Sequence, residues 1–159
     1  MDKFLQWIEK HKKHRALTDN SYKQVYQKKY RKELNDNRVN TKLATYGDAV
    51  LKLALCEILW ENKTEVLTEE KKKYESDEVL VKYIAKHYDI LRFLRFDKKD
   101  DQKPQDYNYN PKKKNNNPHK YIATAIEACL GAMYMDKNFS WDDIIEIVKE
   151  WKTLIDDNN

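Results

Sequence analysis

Glycine is almost missing: the 159-residue chain has two, Gly47 and Gly131. Proline is nearly as scarce, and its three occurrences all fall between Pro104 and Pro118. So few chain breakers, beside long stretches in which apolar residues recur every three or four positions, exclude a turn-rich β domain and predict an all-α one. The two cysteines, Cys56 and Cys129, sit in apolar periodic segments with no Cys-x-x-Cys or Cys/His spacing. That excludes a zinc site by spacing and reads as two buried structural thiols. No apolar run approaches membrane-spanning length. The segment from Met1 to Arg15 mixes Phe4, Leu5, Trp7 and Ile8 with charge, unlike a signal peptide. A cytoplasmic protein with no membrane partner is the expectation.

Charge of one sign is also lacking. The net charge is only +4, although 36% of the residues are charged. The charge is uneven, however. Lys10 to Arg15, Lys23 to Lys32 and Lys112 to Lys120 are basic clusters, whereas Asp136 to Asp157 is acid-rich. Basic clusters of this kind either solvate helix faces or form a phosphate-binding stripe on a nearly neutral protein.

The apolar periodicity predicts helices at about 2–14, 21–34, 40–62, 68–74, 77–88, 119–136 and 140–156. Ser21, Asn40, Thr68, Ser76 and Ser140 are the expected N-caps, and Ser140 with Asp143 has capping-box spacing. Residues 97–117 are polar and rich in Lys, Asn, Asp and Tyr, which predicts a long, partly disordered loop. With no internal repeat, residues 1–159 read as a single domain.

Both glycines fall inside strongly apolar helical patterns, where a glycine costs about 1 kcal/mol relative to alanine. A chain that spends its only two glycines there needs close backbone approach at both points. Asp48 directly follows Gly47, and Glu127 lies one helical turn before Gly131. A carboxylate among apolar residues needs a partner, because burying an unpaired charge is costly. The partner is a lysine or arginine, or a hard divalent ion held between two facing helices, and these residues alone leave both open.

The same segments resemble ribonuclease III. Thr45-Tyr46-Gly47-Asp48-Ala49-Val50-Leu51 is similar to that family's signature, with Glu57 further along the same helix. Ser76-Asp77-Glu78-Val79-Leu80 is similar to a later Ser-x-Glu-x-Leu segment. Glu127-Ala128-Cys129-Leu130-Gly131-Ala132-Met133-Tyr134-Met135-Asp136 resembles the second catalytic helix. Order and spacing hold from about Tyr22 to Ile155.

The resemblance implies an all-α ribonuclease III endonuclease domain that forms a homodimer and cradles an RNA duplex. It implies magnesium (Mg2+), with manganese (Mn2+) as a substitute, and hydrolysis of the phosphodiester to a 5′-phosphate and a 3′-hydroxyl. By the same resemblance Asp48 and Glu127 are the catalytic metal ligands. Asn40, Thr124 and Lys120 are the further substrate-binding candidates, and Tyr46 packs into the partner subunit. Glu78 corresponds to an acid near the dimer interface.

The carry-over is incomplete. Thr41, Ala44 and Thr124 stand where the family has carboxylates. Helical spacing puts 41, 44, 45 and 48 on one face, and 124 with 127 on another. One ion between Asp48 and Glu127 is compatible with this pattern; a second lacks ligands. The compact Mini-III branch shows a similar replacement of acids by small residues and similarly lacks a separate RNA-binding domain. Two functions follow from the resemblance: an endoribonuclease that cleaves double-stranded RNA in RNA processing, or a non-catalytic, RNA-binding or ribosome-associated protein on the same fold. No histidine has a paired ligand spacing. The aromatic residues Trp60, Tyr83, Phe93, Phe96, Tyr134 and Trp151 read as core or dimer packing rather than as base-stacking platforms.

Overall fold

The computed structural model describes residues 2–61, 66–113 and 115–159. Among these the secondary structure is helical, with one isolated bridge between Thr18 and Arg95 and no strand. The main elements are α1 (Lys3–Lys10), α2 (Tyr22–Tyr30), α3 (Thr41–Leu59), α4 (Leu67–Glu75), α5 (Asp77–Val79), α6 (Lys86–Tyr88), α7 (Lys120–Met135) and α8 (Trp141–Asp157). A π-helical stretch, Leu80–Ala85, joins α5 to α6, so the helix expected over 77–88 is continuous but wider in its middle. It stops at Asp89, whose φ of 50° is left-handed.

The centre is α7. Eleven of its side chains or backbone positions, from Tyr121 to Met133, are buried on every side, which explains why its sequence lacks a polar stripe. It packs along α3 and also touches α5, the π-helical stretch and α8. Helix α3 buries Leu43, Gly47, Val50, Leu51, Ala54, Leu55 and Leu59, at the three-to-four spacing of one face. Helix α8 closes the other side through Ile144, Ile147, Val148, Trp151 and Ile155.

Helix α1 is pinned onto α8 rather than trailing. Phe4 packs its ring 5.0 Å from that of Trp151, edge to face. Lys3 pairs with Asp143 and Glu146, each at 2.6 Å, and the Trp7 indole donates to Asp136. These contacts end the helix at Lys10, short of the expected residue 14, because His11 to His14 turn back to stack on Trp7.

Two expected caps form: Ser76 accepts from the Val79 N–H, and Ser140 with Asp143 makes a reciprocal capping box. Ser21 and Asn40 precede their helices without a side-chain cap bond. Thr68 lies one residue inside α4 instead of capping it. The predicted end of the 40–62 helix falls on Asn62, outside the described residues. Cys129 is buried as expected, while Cys56 is only half-buried.

The described residues of 97–117 lack helix, as expected, but they are tied down rather than loose. The Tyr107 hydroxyl accepts from the Leu91 N–H and donates to Asp89. The Tyr121 hydroxyl donates to the Pro104 carbonyl at 2.8 Å. The His119 ring, buried, meets Asp106 at 2.6 Å, which holds the Asp106 carboxyl below its ordinary range together with a backbone N–H from Asn108. Two tyrosine hydroxyls and a buried histidine supply what the polar composition hid.

Candidate active site

The crossing of α3 over α7 is fixed by its glycines. A Cβ on Gly47 would lie 1.6 Å from the Glu127 carbonyl oxygen, and one on Gly131 would lie 2.5 Å from the Leu43 carbonyl oxygen. The two backbones touch, as the placement of both glycines predicts. This contact decides where the neighbouring acids go. Asp48, next to Gly47, and Glu127, whose carbonyl meets Gly47, are brought near enough for the Asp48 carboxyl to act on that of Glu127.

The two carboxyls differ in environment. Asp48 is half-exposed, and its Oδ2 accepts from Lys52 Nζ at 2.7 Å. Glu127 is more enclosed. Burial first, then the hydrogen bond and negative charge of Asp48, push its carboxyl up to about 8. Asp77, from α5, adds to that push, and Lys120 opposes it. The Lys52 ammonium is raised above its ordinary value, chiefly by its bond to Asp48, with smaller contributions from Glu75 and Glu127.

The remaining candidates lie around this pair. Lys120 is exposed at the start of α7, with Nζ 3.4 Å from Asp77. Thr124, one turn before Glu127, donates its hydroxyl back to the Lys120 carbonyl. Thr41, Thr45 and Thr124 line one side of a cleft of about 790 Å³. Ala44 instead packs against the core. Asn40 is almost fully buried: its N–H donates to the Thr18 carbonyl and its side-chain amide to the Ala16 carbonyl. That leaves its Oδ1 buried without a partner among the described residues.

Sequence reading missed three members of this neighbourhood. Lys52 was legible, since it sits one turn after Asp48, the spacing of a helical ion pair. Glu75 and Asp77 were not, because they arrive from the α4–α5 junction and only the packing of that junction on α3 and α7 brings them near.

The donor set suits one hard cation. Two carboxylates forced together, one holding its proton to about pH 8, form a site whose cost a divalent ion relieves. Among the described residues no group of three or more acidic, histidine or cysteine side chains is gathered for a metal. Magnesium retains several waters, so two carboxylates suffice for one ion, and nothing here provides for a second.

The Ribonuclease III domain family model matches residues 41–138, more than half of the chain. The match runs from the first residue of α3 past the end of α7 and so contains both glycines and both acids. The chain therefore belongs to the ribonuclease III domain family. A search of curated proteins finds no match. Among the described residues no helix is long and apolar enough to cross a membrane.

Proposed function

We propose that this chain is an endoribonuclease that hydrolyses double-stranded RNA, using Asp48 and Glu127 to hold a single magnesium ion, with manganese as a substitute. The observation that carries the reading is the Gly47–Gly131 crossing, which spends stability to press two carboxyls together beside an open cleft. A divalent ion held by such a pair supplies an acidified water and stabilises the leaving oxygen of a phosphodiester. The chain's own groups do the rest. Asp48, the more exposed acid, reaches the ion from solvent, and Glu127 gives up its proton to complete the pair. Lys120, exposed beside the pair, offers its ammonium to a phosphate oxygen. Thr41, Thr45 and Thr124 give the adjoining cleft a neutral, hydroxyl-bearing wall, suited to the sugars and phosphates of an A-form duplex that is recognised by shape. The lack of acids at Thr41, Ala44 and Thr124 supports placement in the Mini-III branch.

A homodimer fits the surface. Tyr46 and Leu53 stand exposed on α3, Trp60 stands exposed just past its end, and Tyr134 and Met135 stand exposed on α7. The rings of Tyr46, Tyr134 and Trp141 follow in series, with centroids 5.7 and 5.9 Å apart, the first pair tilted and the second edge to face. An exposed apolar stripe of this kind marks a protein interface, and Trp60, 74% exposed, is its most prominent member. We read the chain as one domain.

One observation favours the second reading, a non-catalytic RNA-binding protein on the same fold: the Lys52 ammonium already satisfies Asp48 at 2.7 Å. Cleavage of a labelled blunt RNA duplex with Mg2+ and with Mn2+ separates the two. Metal-dependent, staggered products that disappear in both Asp48→Asn and Glu127→Gln establish the enzyme. Intact duplex binding without cleavage establishes the non-catalytic protein.

A further inference from the structure

Helix α2 buries none of its side chains. It lies outside the residues that match the family, and hydrophobic burial does not account for its presence. What it carries is an aromatic ladder and positive charge. Tyr22, Tyr26 and Tyr30 follow one another at four-residue spacing, with ring centroids 6.4 and 4.6 Å apart. The Lys29 ammonium stands 5.3 Å from the Tyr30 ring centroid.

One face of α2, with Tyr22, Val25, Lys28 and Lys29, forms a groove of about 730 Å³ with the segment from Leu94 to Lys99. The far wall adds Lys98 and Lys99, with Asp97 the only acid on either side. The ion pairs among the described residues do not use Lys28, Lys29, Lys98 or Lys99, whereas Lys23 on the opposite face is taken by Asp36. Behind the groove Arg95 is anchored by Thr18 and by the carbonyls of Lys12 and His14. The wall is therefore held in place through Arg95, while its lysines are engaged in no ion pair among the described residues.

Four lysines without acidic partners, lining a groove whose edge carries Tyr22, the first of three tyrosines in series, match a flexible polyanion with flat apolar faces. A duplex hides its bases and presents phosphates alone; an unpaired strand presents both. We propose that the groove between α2 and residues 94–99 binds single-stranded RNA, with its phosphates on Lys28, Lys29, Lys98 and Lys99 and a base on Tyr22. Nine residues make α2 about 13 Å long, room for roughly four stacked nucleotides. Residues on either side of α2, Asn20 and Asp36, also line the cleft beside Thr41, Thr45 and Thr124. A strand leaving that cleft meets α2 next, so the bound segment is the unpaired extension of a duplex. This last step rests on the nuclease reading; the single-strand site does not.

The test is fluorescence anisotropy of a labelled 12-nucleotide oligouridylate and, separately, of a blunt RNA duplex. The proteins are the full chain, the Lys28→Gln/Lys29→Gln/Lys98→Gln/Lys99→Gln variant and Tyr22→Ala. Four phosphate contacts on a single strand predict an affinity that falls about 50-fold between 50 and 200 mM salt, with that dependence largely lost in the quadruple variant. Loss of stacking predicts a fall of about fivefold or more for Tyr22→Ala. Because none of the substituted side chains is fully buried, circular dichroism is expected to match the parent in each case. No oligouridylate binding by the parent, equal binding by Tyr22→Ala, or a parallel loss of blunt-duplex binding overturns the proposal. Cleavage of the blunt duplex by the parent is scored independently, so failure of the nuclease reading is seen as such.

Discussion

Replacing Gly47 with alanine is the sharpest test of the crossing that builds the site. Taken alone, the exchange favours the helix by about 1 kcal/mol. Against that stands a new Cβ 1.6 Å from the Glu127 carbonyl oxygen, about 1.8 Å short of ordinary contact at 3.4 Å. The obstacle is backbone inside two buried helices, so no side-chain rotation relieves it and α3 must part from α7. Overpacking a core costs about 1–3 kcal/mol and occasionally more. A rigid clash of this depth lies just above that range, at about 4 kcal/mol, for a net loss of about 3 kcal/mol once the helix gain is subtracted. For a chain of this size that lowers the melting temperature by roughly 6–12 °C. Gly131→Ala, whose nearest contact is 2.5 Å, is expected to lose about half as much. Ala49→Gly, at an exposed position on α3, calibrates propensity alone at about 1 kcal/mol. Urea titration followed by circular dichroism reads all three, with an unchanged slope confirming that the folded state is the one affected. A Gly47→Ala midpoint at or above the parent's, or Gly131→Ala proving the worse of the two, refutes the close crossing.

Glu127 sets the pH dependence. Its folded value of about 8 lies above the ordinary carboxyl value of 4.5, so between them the native state holds a proton that the unfolded state has lost. Stability therefore falls as pH rises through that window, by up to a few kcal/mol, and levels off above pH 8. Glu127→Gln removes that fall, and melting curves from pH 5 to 9 that keep the parent's slope in this variant contradict it. Lys52→Met takes away the ammonium on Asp48, a partly exposed pair worth about 1 kcal/mol at most. Manganese binding followed by electron paramagnetic resonance is expected to tighten up to about fivefold, and unchanged affinity means that the lysine swings aside without cost. Ser140→Ala breaks the capping box of α8, with an expected loss of about 1 kcal/mol in urea melts; no loss places the start of α8 elsewhere.

Much of the architecture is local and therefore legible in the chain. The scarcity of glycine and proline and the three-to-four apolar rhythm give the helices to within a few residues. Ser76 and Ser140 mark their starts because a hydroxyl cap acts within one turn. Gly47 and Gly131 announce a close helix crossing because nothing else justifies their cost in apolar helices. Where local signals failed, distant contacts had taken over. Helix α1 stops early because Trp7 gathers His11 and His14, and residues 97–117 are anchored because Tyr107 and His119 find Asp89 and Asp106 across the fold. Asp48 and Glu127 are named by their motifs, but only the tertiary structure brings them near each other, adds Asp77 from another helix and raises the Glu127 carboxyl. Spacing along a chain determines which face a residue occupies; the charge and burial that meet it there are contributed by other elements, and these exist only once the helices have packed.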